Sequence, residues 1–190
     1  MNDKLRCLIA LLRDMESAVI AFSGGVDSTF LVKAAALSGI RAIAVTALSP
    51  TMPEQDMHDA EHMARVIGIP HRVIESAELE SDECRSNPPE RCFHCKNELF
   101  GRLRDLAAEE DYRFVLDGSN LDDLDDWRPG RRAAKEHGVR SPLIEAGLAK
   151  EDIRSLSREL DLPTWDKPSS PCLSSRFPYG EPITLEALRR

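Results

Sequence analysis

The chain has 190 residues, of which 42% are hydrophobic, and its formal net charge is −8. A chain of this length buries one sizeable core, so we expect one main domain with a small appendage. The acidic residues are scattered and there is no basic extension. Such a surface repels phosphate backbones, which counts against a large nucleic-acid partner.

The sequence shows no membrane-spanning or secretory segment. A membrane span needs about 18 or more consecutive apolar residues, and the N-terminal stretch MNDKLRCLIALLRDMESAVIAF interrupts its apolar positions with charges. We therefore expect a cytoplasmic protein. The chain contains five cysteines, an odd number, and a reducing compartment keeps them as thiols. Their role is then chemistry or packing rather than cross-linking.

The chain alternates between amphipathic helices and short apolar strands. The spacing of apolar residues predicts helices at Leu5–Met15, Ser28–Leu37, Pro53–Ile67, about Cys95–Glu109, Arg131–His137 and Lys150–Leu160. Short apolar runs predict strands at Ala18–Phe22, Arg41–Ala47, His71–Ser76 and Arg113–Gly118. This alternation predicts an α/β fold with a doubly wound parallel sheet, whose ligands bind at the carboxyl ends of the strands.

The most specific motif in the chain is SGGVDS, which lies between the first predicted strand and the next helix. It matches neither a Walker A loop nor the dinucleotide fingerprint. Gly24 and Gly25 allow a sharp turn close to a ligand, the following helix presents free N–H groups, and Ser23 and Ser28 add hydroxyl donors. The motif predicts a pyrophosphate site; a simple turn with a helix cap is the alternative.

Acidic side chains at this anion site indicate a metal ion. Asp27 would repel a bare phosphate, so its presence suggests Mg²⁺ between the carboxylate and the phosphates. The segment DGSNLDD follows the fourth predicted strand and should place Asp117 and Asn120 at the same crevice. Asp117 or Asp123 is a candidate second metal ligand, with a solvated turn as the alternative for each.

The SGGVDS motif resembles the pyrophosphatase loop of the N-type ATP pyrophosphatases, the PP-loop superfamily. The resemblance implies an adenine nucleotide alpha hydrolase-like fold and an ATP site at Ser23, Gly24, Gly25, Val26, Asp27 and Ser28. It also implies that a substrate oxygen attacks the α-phosphate of ATP while the loop holds the departing pyrophosphate. Such chemistry depends on positioning and charge neutralisation more than on a covalent partner.

Three further segments narrow the resemblance to one family. NPPERCFHCKNELF (Asn87–Phe100), DGSNLDDLDDWRPGRRAAKEHGVRSPL (Asp117–Leu143) and PTWDKPSSPCLSSRFPYG (Pro163–Gly180) are similar to the LarE family of ATP-dependent sulfur transferases. That family serves the synthesis of the nickel-pincer nucleotide of lactate racemase. The resemblance implies adenylation of a carboxylate of pyridinium-3,5-biscarboxylic acid mononucleotide, followed by sulfur transfer to give a thiocarboxylate.

The cysteine spacing bears on the sulfur donor. Cys92 and Cys95 form a C-x-x-C, and Cys172 follows in a polar loop. This spacing resembles the branch of the family that holds a [4Fe-4S] cluster on three thiolates, which leaves the fourth iron open to a hydrosulfide. In the other branch, a single cysteine gives up its own sulfur and ends as dehydroalanine.

We expect the cluster form, with Cys92, Cys95 and Cys172 as its ligands. A zinc half-site, a redox pair and a buried filler at Cys172 stay open as alternatives. Cys7 lies on the apolar side of the first helix, which predicts packing. Cys84 has no partner at metal spacing.

Basic side chains are candidate substrate ligands because guanidinium groups suit phosphate and carboxylate. Arg128, Arg131 and Arg132 cluster in WRPGRR, with surface solubility as the alternative. Arg176 follows Cys172 closely, so together with Ser175 it is expected to hold the substrate near the attacking sulfur. The residues expected to be catalytic are Cys172, Arg176 and Asp27.

We expect residues 1–165 to form the PP-loop domain and residues 166–190 to form the cysteine-bearing loop with the start of a C-terminal region. The chain ends short of the family's usual length. The resemblance implies that the small C-terminal domain contributes substrate contacts and much of the oligomer interface, so a homo-oligomer is expected where that domain is present. The expected ligands are ATP, Mg²⁺ and a small nucleotide substrate, with no membrane or nucleic-acid partner.

Other functions compete with sulfur transfer to a small nucleotide. An amide ligase of the NAD synthetase or GMP synthetase type would need neither Cys172 nor iron. A nucleotide-sensing module would bind ATP without releasing pyrophosphate. A tRNA-thiolating enzyme is disfavoured by the net charge of −8.

Overall fold

The protein is built around a parallel four-stranded sheet. A computed structural model describes residues 2–124 and 129–189. The strands are β1 (Ser17–Ala21), β2 (Arg41–Leu48), β3 (His71–Glu75) and β4 (Phe114–Leu116), arranged in the order β3-β2-β1-β4. Each neighbouring pair runs parallel, with β1 in the centre between β2 and β4. The predicted α/β fold with a parallel sheet is therefore confirmed.

Helices cover the sheet and follow the predicted order. They are α1 (Asp3–Met15), α2 (Val26–Ser38), α3 (Glu54–Ile67), α4 (Asp82–Arg85), α5 (Arg91–Glu109), α6 (Pro129–Glu136), α7 (Pro142–Glu145), α8 (Lys150–Glu159) and α9 (Leu185–Leu188). Single 3-10 turns lie at Glu78–Glu80, Leu121–Leu124 and Leu173–Arg176. Within the described ranges, no helix is both long and apolar enough to cross a lipid bilayer.

Two apolar cores lie on opposite faces of the sheet. Ala18 and Ile20 of β1 face the larger core, which contains α1, α2 and α8, whereas Val19 faces the smaller core with α5 and α6. Successive strand residues point to opposite faces, so a strand buried on both sides reads as a continuous apolar run. Helices on both faces make the sheet doubly wound.

Helix α5 and strand β4 differ from their predicted bounds, and the short helices α4, α7 and α9 were not predicted. Helix α5 begins at Arg91 rather than near Cys95, so both cysteines of the C-x-x-C lie in its first turns. Strand β4 is shorter than predicted and ends at Leu116, which forms an isolated parallel bridge with Arg140 through the bond from Asp117 N–H to the carbonyl oxygen of Arg140 at 3.0 Å. The segment after Pro163 is largely irregular, as predicted. The boundary at residue 165 stays a prediction.

Candidate active site

The SGGVDS loop lies at the carboxyl end of the central strand β1, where it turns into α2. Gly24 has φ of +68°, a left-handed conformation that favours glycine. A Cβ atom at Gly24 would lie 2.9 Å from the backbone nitrogen of Ala60 in α3. The motif therefore needs a glycine here for both its backbone angle and its close contact with α3.

The start of α2 offers uncapped N–H groups. Gly25 is the N-cap, and it has no side chain to accept from the first turn of the helix. The hydroxyl oxygens of Ser23 and Ser28 lie 3.1 Å apart across the loop, and Ser23 N–H donates to Ser28 Oγ at 3.3 Å. Hydroxyls, free N–H groups and the positive end of the helix dipole together make an anion site.

Asp27 lies at the centre of a polar cluster that sequence reasoning only partly found. Asn120 Nδ2 donates to Asp27 Oδ1 at 3.3 Å, and the ammonium of Lys150 at the start of α8 forms an ion pair with the other carboxylate oxygen. Lys150 was not predicted because it lies far from the motif in sequence. Oxygen ligands are the type that Mg²⁺ takes, and it commonly uses one or two carboxylates with phosphate oxygens, so Asp27 fits this ion.

The loop after β4 packs directly onto the start of α2. A Cβ atom at Gly118 would lie 3.0 Å from the backbone nitrogen of Ser28. Asp117 is buried and accepts hydrogen bonds from Ser119 Oγ at 2.8 Å and Ser141 Oγ at 2.6 Å. Asp117 therefore shapes this loop, whereas Asn120 reaches Asp27 directly.

Asp123 also helps to shape this loop. Its Oδ2 accepts from Asn120 N–H at 3.0 Å. The carboxylate thus orders the backbone of the residue whose side chain reaches Asp27. Its predicted role as a second metal ligand stays a prediction.

Lys167 connects the C-terminal segment to the SGGVDS loop. Its ammonium lies 2.7 Å from Asp59 Oδ2, 3.0 Å from Asp56 Oδ1 and 3.4 Å from the carbonyl oxygen of Gly24. The hydrogen bond from Lys167 holds the pKa of Asp59 below its ordinary value. Burial opposes the charge on Lys167, but its bonds to Asp59 and Asp56 raise its pKa overall. Ser170 Oγ adds a 2.7 Å bond to Asp56 Oδ2.

Cys172 is exposed at the start of a 3-10 turn that is held on one side by the loop between β2 and α3. Leu173 N–H donates to the carbonyl oxygen of Thr51 at 2.8 Å. The N–H and hydroxyl of Ser175 both donate to the carbonyl oxygen of Cys172, at 2.9 and 2.7 Å. Ser175 and Arg176 are themselves exposed beside the thiol, where the resemblance places substrate ligands.

On its other side, the Cys172 turn is held by a buried pair that we call the Asn87–Arg91 clamp. Arg91 Nη1 donates to Asn87 Oδ1 at 2.6 Å and to the carbonyl oxygen of Ser174 at 2.9 Å. Asn87 Nδ2 donates to the carbonyl oxygen of Pro178 at 2.8 Å. Both residues lie in the segment Asn87–Phe100 that resembles the family, but the sequence alone did not predict this pairing. The clamp joins the Cys172 turn to the first residue of α5, next to Cys92.

The thiols are arranged differently from the predicted cluster. Cys92 and Cys172 are exposed, whereas Cys95 donates a hydrogen bond to the buried Cys84 across 3.6 Å. This bond, then burial and the Glu78 carboxylate, raise the pKa of the Cys95 thiol well above its ordinary value. The bond from Cys95 lowers the pKa of Cys84.

This arrangement does not fit a cluster held by Cys92, Cys95 and Cys172. Cluster ligands are thiolates, whereas the hydrogen bond to Cys84, burial and the Glu78 carboxylate raise the pKa of the Cys95 thiol and so disfavour its thiolate. Within residues 2–124 and 129–189, no three His, Cys, Asp or Glu side chains lie together closely enough to hold a metal ion. Cys7 is exposed, so its predicted packing role is wrong.

The remaining predicted substrate ligands have local partners. Arg131 Nη1 donates to the carbonyl oxygen of Asp123 at 3.4 Å, which places Arg131 beside the DGSNLDD loop. Arg132 stacks over the ring of Phe93 at 3.6 Å from its centroid. Arg128 lies outside the described residues. Roles in substrate binding stay predictions for all three arginines.

A large cavity lies away from this chemistry. It measures about 560 Å³ and is lined by residues at the amino end of β4 and the facing ends of α5 and α6, including Arg104, Tyr112, Phe114 and His137. We place the candidate site at SGGVDS instead, because ligands of parallel sheets bind at the carboxyl ends of the strands.

Comparison with known proteins identifies the family. No protein-family model matches the chain. The protein slr1717 of Synechocystis sp., described as uncharacterized, is 47% identical over 191 residues, which cover 100% of this chain and 71% of that protein. The pyridinium-3,5-bisthiocarboxylic acid mononucleotide synthase of Lactiplantibacillus plantarum is 37% identical over 183 residues, which cover 95% of this chain and 66% of the synthase.

A solved structure supports the same fold. The NMN synthetase from Francisella tularensis superposes with a TM-score of 0.69 and 23% sequence identity, covering 88% of this chain and 74% of that one. The parallel sheet, the SGGVDS loop at its carboxyl edge and the relatives along the whole chain agree: the chain belongs to the LarE family of the PP-loop ATP pyrophosphatase superfamily.

Proposed function

We propose that the protein is an ATP-dependent sulfur transferase. Its substrate in this proposal is pyridinium-3,5-biscarboxylic acid mononucleotide, and its product is the corresponding thiocarboxylate. The synthase of Lactiplantibacillus plantarum, of which the chain spans 66%, carries the name of such a product. The chemistry divides into an adenylation step and a sulfur-transfer step.

The SGGVDS loop suits the adenylation step. A carboxylate oxygen of the substrate attacks the α-phosphorus of ATP, the bond to the bridging oxygen breaks, and pyrophosphate leaves. The N–H groups at the start of α2 and the hydroxyls of Ser23 and Ser28 would hold that leaving group. Asp27 would hold a Mg²⁺ ion, which neutralises phosphate charge when it is bound. Lys150, now paired with Asp27, brings a cation to the same place.

One observation carries the sulfur-transfer step. The segment that contacts the nucleotide loop through Lys167 also carries Cys172, exposed and a few residues further on. An amide ligase would have no use for a thiol held in this position. The contact between Lys167 and Gly24 therefore favours sulfur transfer over amide formation.

The sulfur donor in this proposal is Cys172 itself. The [4Fe-4S] form needs Cys92, Cys95 and Cys172 to gather as thiolates, and the Cys95 thiol instead donates a hydrogen bond to Cys84. The cluster therefore stays a prediction from the resemblance. Transfer from Cys172 needs no partner thiol.

In the second step, sulfur moves from Cys172 to the activated substrate. The Cys172 thiolate attacks the carbonyl carbon of the acyl adenylate, AMP leaves, and a thioester forms. Loss of the Cys172 Hα to a base then breaks the bond between Cβ and Sγ. The substrate departs as a thiocarboxylate and residue 172 becomes dehydroalanine.

The test uses protein purified without oxygen, given ATP, Mg²⁺ and the dicarboxylate. We expect pyrophosphate, a thiocarboxylate and a peptide containing residue 172 that has lost the mass of H₂S. Cys172→Ala should release no thiocarboxylate, whereas Cys7→Ala, which removes another exposed thiol, should behave as wild type. Thiocarboxylate formation by Cys172→Ala would refute the proposal. Bound iron with an unchanged peptide mass after many turnovers would establish the cluster form instead.

A further inference from the structure

The contact between Cys84 and Cys95 is not used by the proposed reaction. Cys84 is the third residue of α4 and is 1% exposed, whereas Cys95 lies in the first turns of α5 and is half-buried. Their sulfur atoms are 3.6 Å apart, which is direct contact. Spacing alone would pair Cys95 with Cys92, since C-x-x-C at the start of a helix is a common redox motif.

The surroundings keep these two sulfur atoms facing each other. Ser81 caps α4 and accepts the N–H of Cys84 at 3.4 Å. The carbonyl oxygen of Cys84 accepts the N–H of Asn87 at 3.2 Å, which ties α4 to the Asn87–Arg91 clamp. A disulfide needs a sulfur–sulfur distance of about 2.05 Å, so each sulfur must move by less than about 1 Å. Side-chain rotation supplies such a shift.

We propose that Cys84 and Cys95 are a redox modification site, a dithiol that a low-molecular-weight disulfide oxidises reversibly. The S–H bonds of both cysteines and the S–S bond of the oxidant break, and one S–S bond forms between Cys84 and Cys95. The pair loses two electrons and two protons, and the oxidant leaves as two thiols. Only Cys95 is partly accessible, so the oxidant reaches it first. Because the thiolate is the attacking form, the raised pKa of Cys95 makes this first exchange slow, and the buried Cys84, whose pKa is lowered, then displaces the second thiol.

Oxidation at this site would act on the Asn87–Arg91 clamp, which holds the Cys172 turn. The new bond would close residues 84–95 into a loop that contains both members of the Asn87–Arg91 clamp. This clamp holds the carbonyl oxygen of Ser174 and thereby the turn that begins at Cys172. The disulfide would restrict the motion of the Asn87–Arg91 clamp and leave Cys92 and Cys172 as free thiols. The effect on sulfur transfer rests on the proposed function, but formation of the bond does not.

The test is a thiol titration and peptide map of the full chain. The protein is equilibrated with mixtures of reduced and oxidised glutathione, alkylated and digested without reductant. We expect the five free thiols to fall to three, with one cross-linked peptide pair that joins Cys84 to Cys95. Added dithiothreitol should restore all five. The oxidised form should also unfold at a higher urea concentration than the reduced form.

Two matched variants sharpen the result. Cys7→Ser should still form the cross-link, whereas Cys84→Ser should give a glutathione adduct on Cys95 and no cross-link to it. A Cys92–Cys95 or Cys92–Cys172 cross-link in wild type, or mixed disulfides alone, would overturn the proposal. The wild-type map decides the matter even if Cys84→Ser does not fold. The peptide map tests the Cys84–Cys95 cross-link whether or not the protein transfers sulfur.

Discussion

Removing the Arg91 side chain should loosen the Cys172 turn and destabilise the protein. Arg91 is 5% exposed and donates to Asn87 at 2.6 Å and to the carbonyl oxygen of Ser174 at 2.9 Å. Hydrogen bonds from a charged donor contribute about 1.5–3 kcal/mol each. Removing both would therefore lower the free energy of unfolding by at most roughly 3–6 kcal/mol. Water that enters the vacated space recovers part of this, and we expect Arg91→Ala to cost about 3 kcal/mol.

Urea unfolding measures the loss, with Arg102→Ala as the matched control on the same helix. Arg102 pairs with Glu98 near the surface, and its side chain is 43% exposed. Such pairs contribute about 0.3–0.5 kcal/mol, so the control should unfold almost as wild type does. The Cys172 thiol of Arg91→Ala should also react faster with an alkylating reagent. Equal free energies of unfolding for the two variants would refute the role assigned to the clamp.

Three further predictions concern Gly24, Lys167 and His71. Gly24→Ala should destabilise the protein by about 1–3 kcal/mol more than Gly39→Ala. Both glycines have positive φ, but only the Cβ at Gly24 would meet backbone, so equal urea midpoints would contradict this reasoning. Lys167→Met should return the pKa of Asp59 toward its ordinary value, which NMR titration measures. The same change should make residues 165–172 more sensitive to limited proteolysis. Lys135→Met, at an exposed lysine, is the control for both measurements. Burial lowers the pKa of His71 from 6.5, so the unfolded chain binds more protons below that pH and stability should fall as the pH drops through this window. His71→Gln should flatten that part of the urea-midpoint profile, and an unchanged profile would exclude His71 as its cause.

Local patterns were enough to predict the fold. The apolar run at Ala18–Phe22 and the glycines after it placed β1 and its turn within a residue of the observed strand, Ser17–Ala21. A central strand that is buried on both faces appears in the sequence as a continuous apolar run, so it can be predicted from its own residues. The early start of α5 was missed because Pro88 and Pro89 precede it and the segment is polar, although proline is compatible with the residues just before a helix.

The site was predicted only where it is local in sequence. The SGGVDS loop forms from consecutive residues, so its glycines and hydroxyls could be read directly. Lys150 contacts Asp27 and Lys167 contacts Gly24 from more than a hundred residues away in the chain. The residues next to them in sequence do not indicate a role at this site. The partner of Cys95 was also missed. Ligand spacing favoured Cys92, whereas the packing of α4 against α5 brings Cys84 to it.

The burial of α2 determines how nucleotide binding can be observed. Phe30, Leu31, Val32, Ala34 and Ala35 of this helix are all fully buried, so it lies in the interior between the sheet and other helices. Amide hydrogens in such an element exchange with solvent only when the whole domain unfolds. Slower exchange on adding nucleotide would therefore be visible at the amides of residues 24–27, while we expect the helix behind them to exchange at the slowest rate with or without nucleotide. The shape of the anion-binding loop is thus set by the protein core before any ligand arrives.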